Sequence, residues 1–312
     1  MISRFLEISA ATDAGTRIPV TTFRGTHPGP TLALIAGNHG YEYPPILALQ
    51  RMRGEIDEGR LHGTVVMIHA ANMPSFLGRT VYFSPIDQKN LNRCYPGRAD
   101  GTVSERIAHA ITTEVIGPAD YVLDLHCGDG NEWLRPYVYQ AVTNDPRMNQ
   151  AIGRLALAFG IDHILLDRNR PSDPAKSLYC STTAITRGKP AMTIEAGSLG
   201  HTDEESVAII VRGVRGVMQE LGMVPDGPAP LVRAVYLEPS AVLTSPATGI
   251  LYPQVKPDQR VNQGDVLARI TDFFGAELAV VNSPLDGVVL YVVATPPITE
   301  GQPVACVGSP VR

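Results

Sequence analysis

Short runs of consecutive apolar residues alternate with helix-like patterns through the first two thirds of the chain. Four runs have the length and composition of buried strands: 31–36, 64–69, 121–126 and 191–195. Strands that are apolar on both faces are typical of a parallel sheet with helices packed on each side. The pattern therefore predicts an α/β fold with a mostly parallel sheet and right-handed crossovers.

Two helices are clearly indicated between these strands. Apolar residues recur every four positions over 103–115, and Thr102 and Glu105 form a capping box at the start of that segment. A second helical pattern spans 203–221. Pro44 and Pro45 are suited to the first turn of a helix that follows the strand at 31–36.

The pattern changes after residue 223. The segment VPDGPAP (224–230) is typical of a linker, and short β-type runs with many prolines follow it. This region repeats itself, because 245–255 matches 283–293 and 261–270 matches 298–307. We therefore predict two domains, an α/β domain at 1–224 and an all-β domain at 231–312, in which two similar halves share one core.

The C-terminal repeat resembles the biotinyl and lipoyl carrier domain, a barrel-sandwich hybrid. Carrier domains attach their cofactor to a lysine on the hairpin between the two halves. Here that hairpin is expected at 272–277, and no lysine follows Lys256. A carrier function is therefore excluded, and the expected role of this domain is structural or site-covering.

Composition narrows the classes of function. The formal net charge is −5 and 18% of residues are charged, which argues against a nucleic-acid-binding protein. The sequence has no apolar run long enough to span a membrane, and we expect no export signal at its N-terminus. The four cysteines are scattered without a CxxC motif. We therefore expect reduced thiols and a cytoplasmic location.

The candidate chemistry lies at the ends of the predicted strands. His39 follows the first buried strand, Glu42 comes three residues later, and His126 ends the strand at 121–126. Strand ends of a parallel sheet gather along one edge, where α/β proteins place their sites. Two imidazoles and one carboxylate make a His2Glu set that leaves one position of a zinc ion open.

Other polar residues are expected at the same edge. Asn92 and Arg93 precede a Pro-Gly turn, where a guanidinium is suited to capture a substrate carboxylate. Glu195 ends an apolar strand, so burial should raise the pKa of its carboxyl and suit it to move protons. Asp124 lies on the same strand face as His126 and could orient that histidine, or it could be an ordinary paired carboxylate. Cys127 points to the opposite face and is expected to pack.

Four motifs in this order resemble the succinylglutamate desuccinylase and aspartoacylase family of the zinc carboxypeptidase superfamily: GNHGYE (37–42), NLNR (90–93), DLHCG (124–128) and TIEAG (193–197). The resemblance implies the zinc-carboxypeptidase-like fold with a β domain beside it. It also implies one zinc ion per chain on His39, Glu42 and His126, a carboxylate clamp of Asn92 and Arg93, and Glu195 as catalytic acid/base.

The resemblance further implies a reaction and its substrates. Arg79 corresponds to the arginine that polarises the scissile carbonyl, although a free surface arginine is an equal alternative. Tyr41 departs from the family, which usually has Asn or Asp at this position. The implied activity is hydrolysis of the amide bond of a small N-acylated amino acid that carries a carboxylate.

Two alternatives remain: a metallocarboxypeptidase that acts on peptides, and a non-catalytic binding protein with the same fold. Neither a GxSxG elbow nor a nucleotide-binding glycine motif is present, which disfavours serine hydrolases and nucleotide enzymes. No nucleic-acid or membrane partner is expected, and a homo-oligomer is left open. Five further histidines are expected to be structural: His62, His69, His109, His163 and His201.

Overall fold

Strands account for most of the secondary structure in the computed structural model, which describes residues 1–311. The strands up to the linker are β1 (Ile2–Ile8), β2 (Thr16–Arg24), β3 (His27–Ala36), β4 (His62–Ile68), β5 (Tyr121–Gly128), β6 (Glu132–Leu134), β7 (Tyr137–Ala141), β8 (His163–Asp167) and β9 (Ala191–Ser198). The strands after it are β10 (Val235–Thr244), β11 (Gly249–Pro253), β12 (Arg260–Val261), β13 (Val266–Thr271), β14 (Glu277–Asn282), β15 (Gly287–Val293), β16 (Pro297–Ile298) and β17 (Pro303–Pro310). The helices are α1 (Tyr43–Arg53), α2 (Met73–Gly78), α3 (Val103–Ile111), α4 (Pro146–Phe159), α5 (Cys180–Ile185) and α6 (Glu204–Glu220).

The four predicted apolar strands form the centre of the sheet. They lie in the order β4, β3, β5, β9, and each neighbouring pair is parallel. Their carboxyl ends therefore meet along one edge, as the sequence predicts. The predicted α/β class is confirmed in this part of the chain.

The complete sheet contains more antiparallel strand pairs than the predicted mostly parallel sheet. β1 and β2 add antiparallel strands on one side, and β7 pairs antiparallel with β9 on the other. β1 buries only alternate residues near its end, Leu6 and Ile8, and exposes the others. Such a half-buried edge strand has no continuous apolar run, so the pattern of buried runs does not predict it.

The helices begin where the sequence predicts. The capping box of Thr102 and Glu105 is formed at the start of α3, and Pro44 and Pro45 occupy the first turn of α1. α3 ends at Ile111, and a wider π-type turn, Thr112–Ile116, completes the predicted helical segment. α6 matches the predicted helix within one residue at each end.

Apolar cores cover both faces of the central strands. On β5, Leu123 and Leu125 face a core shared with α1, α4 and α6, whereas Val122 faces α3 and α5. Residues alternate between the faces of a strand, so Asp124 and His126 share the side of Val122. Asp124 and His126 therefore lie on the side of the sheet that α3 and α5 cover.

All the regular secondary structure described between the linker and residue 311 consists of strands. β14, β13, β11 and β16 form a separate four-stranded sheet, whereas β10, β17, β15 and β12 extend the large sheet. β13 and β14 form the hairpin expected around 272–277. Two pairings cross the linker: β10 is parallel to β8, and β15 is antiparallel to β6. Hydrogen bonding is thus continuous from the α/β part into the β part.

Within residues 1–311, no helix has both the length and the apolar character needed to cross a membrane.

Candidate metal centre and catalytic site

His39, Glu42 and His126 come together at the carboxyl edge of the sheet. His39 lies in the loop after β3, Glu42 is the N-cap of α1, and His126 is on β5. Glu42 Oε1 lies 2.9 Å from His39 Nδ1 and 2.5 Å from His126 Nδ1. One donor atom from each residue lies within 4.8 Å of the other two, and all three residues are buried. This spacing allows one small cation to contact all three groups.

The outer nitrogen of each imidazole also has a polar partner. His126 Nε2 lies 2.9 Å from Asp124 Oδ1, and His39 Nε2 lies 3.2 Å from Asn90 Oδ1. An acceptor at Nε2 keeps the proton there and leaves the lone pair of Nδ1 free to bind a metal. Both histidines are therefore oriented for coordination through Nδ1. The geometry agrees with the predicted orienting position of Asp124.

Asp124 is the centre of a buried network. It is fully buried, and its oxygens accept hydrogen bonds from Asn38 Nδ2 at 2.8 Å and from the backbone N–H of Ser181 at 3.3 Å. The Tyr95 hydroxyl in turn donates to Asn38 Oδ1 at 3.0 Å. Asn38 and Asn90 were not singled out in the sequence, although both belong to the GNHGYE and NLNR motifs. Their role depends on contacts between segments that are 51 to 86 residues apart in the sequence.

The charges of the site favour a cation. Burial alone would lower the pKa of His39, but the carboxylates of Asp129 and Glu42 raise it to about 10. Burial would raise the pKa of Glu42, but His126 and His39 hold it below its ordinary value. In the protein alone, protons on the imidazoles thus balance the carboxylates. A divalent cation at the three donor atoms would supply that positive charge without the protons, so the residues fit a zinc ion.

Glu195 lies beside His126 on the next strand. The two residues are register partners between β5 and β9, and Tyr137 of β7 is the partner of Glu195 on its other side. Burial raises the pKa of the Glu195 carboxyl well above its ordinary value, and the nearby carboxylates of Glu132 and Glu42 add to the shift. The side chain is only partly covered and has no hydrogen bond to another residue of 1–311. This environment agrees with the raised pKa that the sequence predicts.

Asn92 and Arg93 lie next to the metal centre but differ in exposure. Asn92 is buried, with Nδ2 at 3.4 Å from His126 Nε2 and Oδ1 accepting the backbone N–H of Cys180 at 2.9 Å. Arg93 is exposed, and its guanidinium carbon lies 4.6 Å from the centre of the Tyr179 ring. No carboxylate among residues 1–311 pairs with Arg93, so its charge is available to a ligand.

Arg79 is exposed, and Tyr41 is half-buried. Arg79 caps the end of α2 in the left-handed conformation, and its side chain forms no hydrogen bond or ion pair with residues 1–311. The ring of Tyr41 lies against Gly130 and Gly200, where an added Cβ atom would come within 3.0 and 2.8 Å of it. Tyr41 therefore packs between the loops that follow β5 and β9.

Three groups near the centre were missed in the sequence: Tyr82, Asp129 and Glu132. Asp129 Oδ2 lies 3.4 Å from His39 Nδ1. The Tyr82 ring packs edge-on against His39 at 5.7 Å between ring centres, and its hydroxyl donates to Glu132 Oε1 at 2.7 Å. Burial raises the pKa of Asp129 to about 6 and that of Glu132 to about 7. The DxxE spacing of these residues was the one available signal, and it is weak by itself.

The remaining cysteines and histidines fit structural roles. All four cysteines are free thiols, and Cys127 is buried as expected. His69 shares a hydrogen bond with the Thr21 hydroxyl at 2.9 Å, and His163 lies 3.0 Å from Arg135 Nη1. None of the other histidines joins a group of three or more metal-ligand residues in the described part of the chain.

Sequence comparisons match this chain to known proteins. Residues 28–221 match the family described as "Succinylglutamate desuccinylase/Aspartoacylase catalytic domain". The chain is 34% identical over 266 residues to the N-alpha-acetyl-L-2,4-diaminobutyric acid deacetylase of Halomonas elongata, which covers 82% of this chain and 74% of that protein.

Solved structures are similar over the whole length. The ectoine utilization protein EutE (DoeB) of Ruegeria pomeroyi has a TM-score of 0.87 and 26% identity, and the match covers 99% of this chain and 95% of that one. A Rhodobacter sphaeroides succinylglutamate desuccinylase/aspartoacylase has a TM-score of 0.87 and 24% identity, with 100% and 95% covered. The latter comparison supports the fold alone.

Proposed function

Because the chain belongs to the succinylglutamate desuccinylase/aspartoacylase family, we propose that it is a zinc-dependent hydrolase of small N-acylated amino acids. Its relatives include deacylases that act on carbon–nitrogen bonds outside peptides. The observation that carries the proposal is the convergence of His39 Nδ1, Glu42 Oε1 and His126 Nδ1 in one buried cluster.

The proposed chemistry divides between the metal and the chain. A zinc ion held by His39, Glu42 and His126 would supply Lewis-acid activation of water and of the acyl carbonyl at neutral pH. Glu195 would accept the proton of the attacking water and deliver it to the leaving amine. Its raised pKa suits this exchange, because a carboxyl group with a raised pKa takes up a proton more readily than an ordinary carboxylate does.

The proposed binding groups surround this centre. Arg93 would bind the carboxylate of the amino acid, supported by Asn92, and Arg79 would stabilise the negative charge that develops on the acyl oxygen. Asn92 is buried and bonded to the backbone of Cys180, so its contribution would be to hold the loop and the ligand histidine in place. Arg93 has no carboxylate partner among residues 1–311, which leaves its charge free for the substrate.

We further propose that residues 1–224 form the catalytic domain and residues 231–312 a β domain beside it. The pairing of β6 with β15 supports a position of the β region next to the catalytic loops. A β region at that position would restrict access to small substrates. This restriction favours a deacylase over a peptidase.

The test combines a metal assay with a substrate screen. The purified protein is stripped of metal and titrated with zinc, and hydrolysis is then measured for N-acetyl and N-succinyl amino acids, including N-alpha-acetyl-L-2,4-diaminobutyric acid, and for short peptides. We expect one zinc ion per chain and turnover of at least one acyl amino acid. Turnover of peptides alone would support a carboxypeptidase, and zinc binding without any turnover would support a binding protein.

A further inference from the structure

The position of Glu195 is set by the backbone of β9 rather than by a side-chain partner. Its carboxyl group forms no hydrogen bond with another residue of 1–311, and the strand is irregular just beyond it. His126 pairs with Glu195 and Gly128 pairs with Ser198, so β9 has one residue more than β5 over this stretch. Gly197, inside the stretch, has φ of 108°, which glycine adopts readily. Such a bulge bends a strand and redirects its side chains, so the direction of Glu195 depends on what holds the end of β9.

Two loops meet at this end of the strand. The first, 129–131, follows β5, and the second, 199–203, follows β9. The N–H of Gly200 donates to the carbonyl of Asp129 at 2.5 Å, and the N–H of Leu199 donates to the carbonyl of Glu132 at 3.1 Å. The two loops are therefore joined through their backbones, and a displacement of one is passed to the other.

The ring of Tyr41 covers this junction. A Cβ atom added to Gly130 would lie 3.0 Å from Cγ and Cδ1 of Tyr41, and one added to Gly200 would lie 2.8 Å from Cδ1. The Cβ position of Gly200 is also 3.8 Å from the Cα atom of Gly130, so the two glycines are neighbours under one ring. Contacts this close require that both residues lack a side chain. Tyr41 thus packs on both loops at once.

Tyr41 is also connected to the metal-ligand residues. It directly precedes Glu42, and its carbonyl accepts the N–H of Tyr43 at 2.8 Å where α1 begins. The rings of Tyr41 and Tyr43 are 5.5 Å apart between centres, and Tyr43 packs edge-on against Phe76 of α2. The hydroxyl of Tyr41 forms no hydrogen bond with residues 1–311. The contacts of this side chain are therefore made by its ring.

We infer that Tyr41 is a positioning residue for Glu195. Its ring holds the loops after β5 and β9 in a fixed relation to Glu42, and the end of β9 in turn sets the direction in which Glu195 faces the metal centre. This inference rests on the proposed deacylase function, because Glu195 is the proton-transfer group of that reaction.

Tyr41→Ala and Tyr41→Phe test the inference in the zinc-loaded protein. The assay is hydrolysis of N-alpha-acetyl-L-2,4-diaminobutyric acid, or of another acyl amino acid if the substrate screen favours it. Tyr41→Ala removes the ring and should lower kcat about 10- to 100-fold, since a misplacement of about 1 Å can cost that much in rate. KM should change less than about threefold, because Arg93 lies on a different loop. Tyr41→Phe keeps the ring and should restore kcat to within about threefold of the wild type.

Two further measurements separate positioning from a general structural effect. Tyr252→Ala is the matched control, since Tyr252 is an exposed tyrosine on β11, and it should leave kcat and KM unchanged. Zinc content should stay at one ion per chain in every variant, because Glu42 and both ligand histidines are retained. A residue that only supports folding would not lower kcat in a variant that is folded and fully loaded with zinc.

Gly130→Ala tests the same contact from the other side. The three atoms nearest to the added methyl group all belong to Tyr41, and the backbone of Gly130 is outside the left-handed region, so the ring must shift. By itself, Gly130→Ala should lower the urea midpoint of the metal-free protein and lower kcat at least about fivefold. Added to Tyr41→Ala, it should change kcat less than about twofold, because residues in contact are coupled and independent residues are additive. Gly130→Ala keeps the test open if Tyr41→Ala does not fold, since the ring is then still present.

The outcomes distinguish the two proposals. Hydrolysis of no acyl amino acid by the wild-type protein would refute the deacylase function and, with it, the role of Glu195 that Tyr41 supports. If the wild type is active, a wild-type kcat in Tyr41→Ala or in Gly130→Ala would overturn the positioning role and leave the deacylase function intact. Equal losses in Tyr41→Ala and Tyr41→Phe, loss of zinc in Tyr41→Ala, or additive effects of Tyr41→Ala and Gly130→Ala would also overturn it.

Discussion

Asp124→Asn is the substitution that tests most directly how the buried network supports the metal centre. Asp124 accepts hydrogen bonds from Asn38, His126 and Ser181 and has no exposed surface. Asparagine has the same shape, but it replaces one acceptor oxygen with an NH2 donor and removes the charge. Whichever way the amide is turned, its NH2 group meets at least one N–H donor of this network.

These contacts set the expected size of two effects of the substitution, on the free energy of unfolding and on zinc affinity. A buried donor left without an acceptor costs ~1 to 3 kcal/mol, so the metal-free variant should lose about that much of its free energy of unfolding. The neutral amide also holds the Nε2 proton of His126 less strongly, which lowers the basicity of Nδ1. Loss of such an orienting group typically weakens metal binding ~10- to 100-fold, and we expect the zinc Kd to rise by that factor.

Zinc affinity is measured by competition with a chromophoric chelator, and stability by urea unfolding of the metal-free protein. Asp145→Asn is the matched control, since Asp145 is an exposed N-cap of α4 where asparagine is equally suited. A zinc Kd for Asp124→Asn within about twofold of the wild type would refute the reasoning. It would show that the carboxylate does not orient His126.

Three further predictions follow from the site and the fold. Glu195→Gln should retain one zinc ion per chain but lower kcat ~10²- to 10⁴-fold, and kcat within threefold of the wild type would exclude a role in proton transfer. Glu132→Gln should stabilise the metal-free protein at pH 8 but not at pH 4. The folded pKa of Glu132, about 7, is raised by burial and by Asp129, so folding is penalised progressively as the pH rises from about 4.5 to about 7. We expect a gain of about 1 to 3 kcal/mol in urea unfolding at the higher pH, and a gain that does not depend on pH would contradict this assignment. Gly197→Ala should destabilise the protein by at least ~2 kcal/mol more than Gly222→Ala. Both glycines have positive φ, but an added Cβ at Gly197 would lie 2.6 Å from Pro44 Cγ, whereas the space around Gly222 is open. Equal urea midpoints for the two variants would show that the structure around Gly197 accommodates the added methyl group without loss of stability.

The central fold could be predicted because its strands are buried on both faces. Continuous apolar runs identified β3, β4, β5 and β9, and the parallel order of these strands brings their carboxyl ends to one edge. The mixed character of the complete sheet could not be predicted in this way. β1 and β2 are only partly buried, and the direction of β7 depends on its pairing with β9 rather than on its own residues.

The candidate site was predictable to the extent that its residues follow strand ends in recognisable motifs. His39, Glu42 and His126 each do so, and the structure brings them together. Asn90 and Asn38 act through contacts across the chain, which no local pattern encodes. Asp129 and Glu132 were missed because an acidic loop usually indicates a solvated surface. Their burial depends on Tyr82 and on the strand pairing with the β region.

The pairing of β6 with β15 connects the C-terminal β region to the chemistry of the site. If that region only shielded the entrance, its contacts would end at loops on the surface. Instead, backbone hydrogen bonds reach Asn131 and β6, and Tyr291 packs in a core with Leu134 and Tyr137. Tyr137 is also the register partner of Glu195. Glu132 thus stands on a strand that pairs with β15, and the register partner of Glu195, Tyr137, shares a core with Tyr291 of β15. An altered strand β15 should therefore affect activity as well as stability.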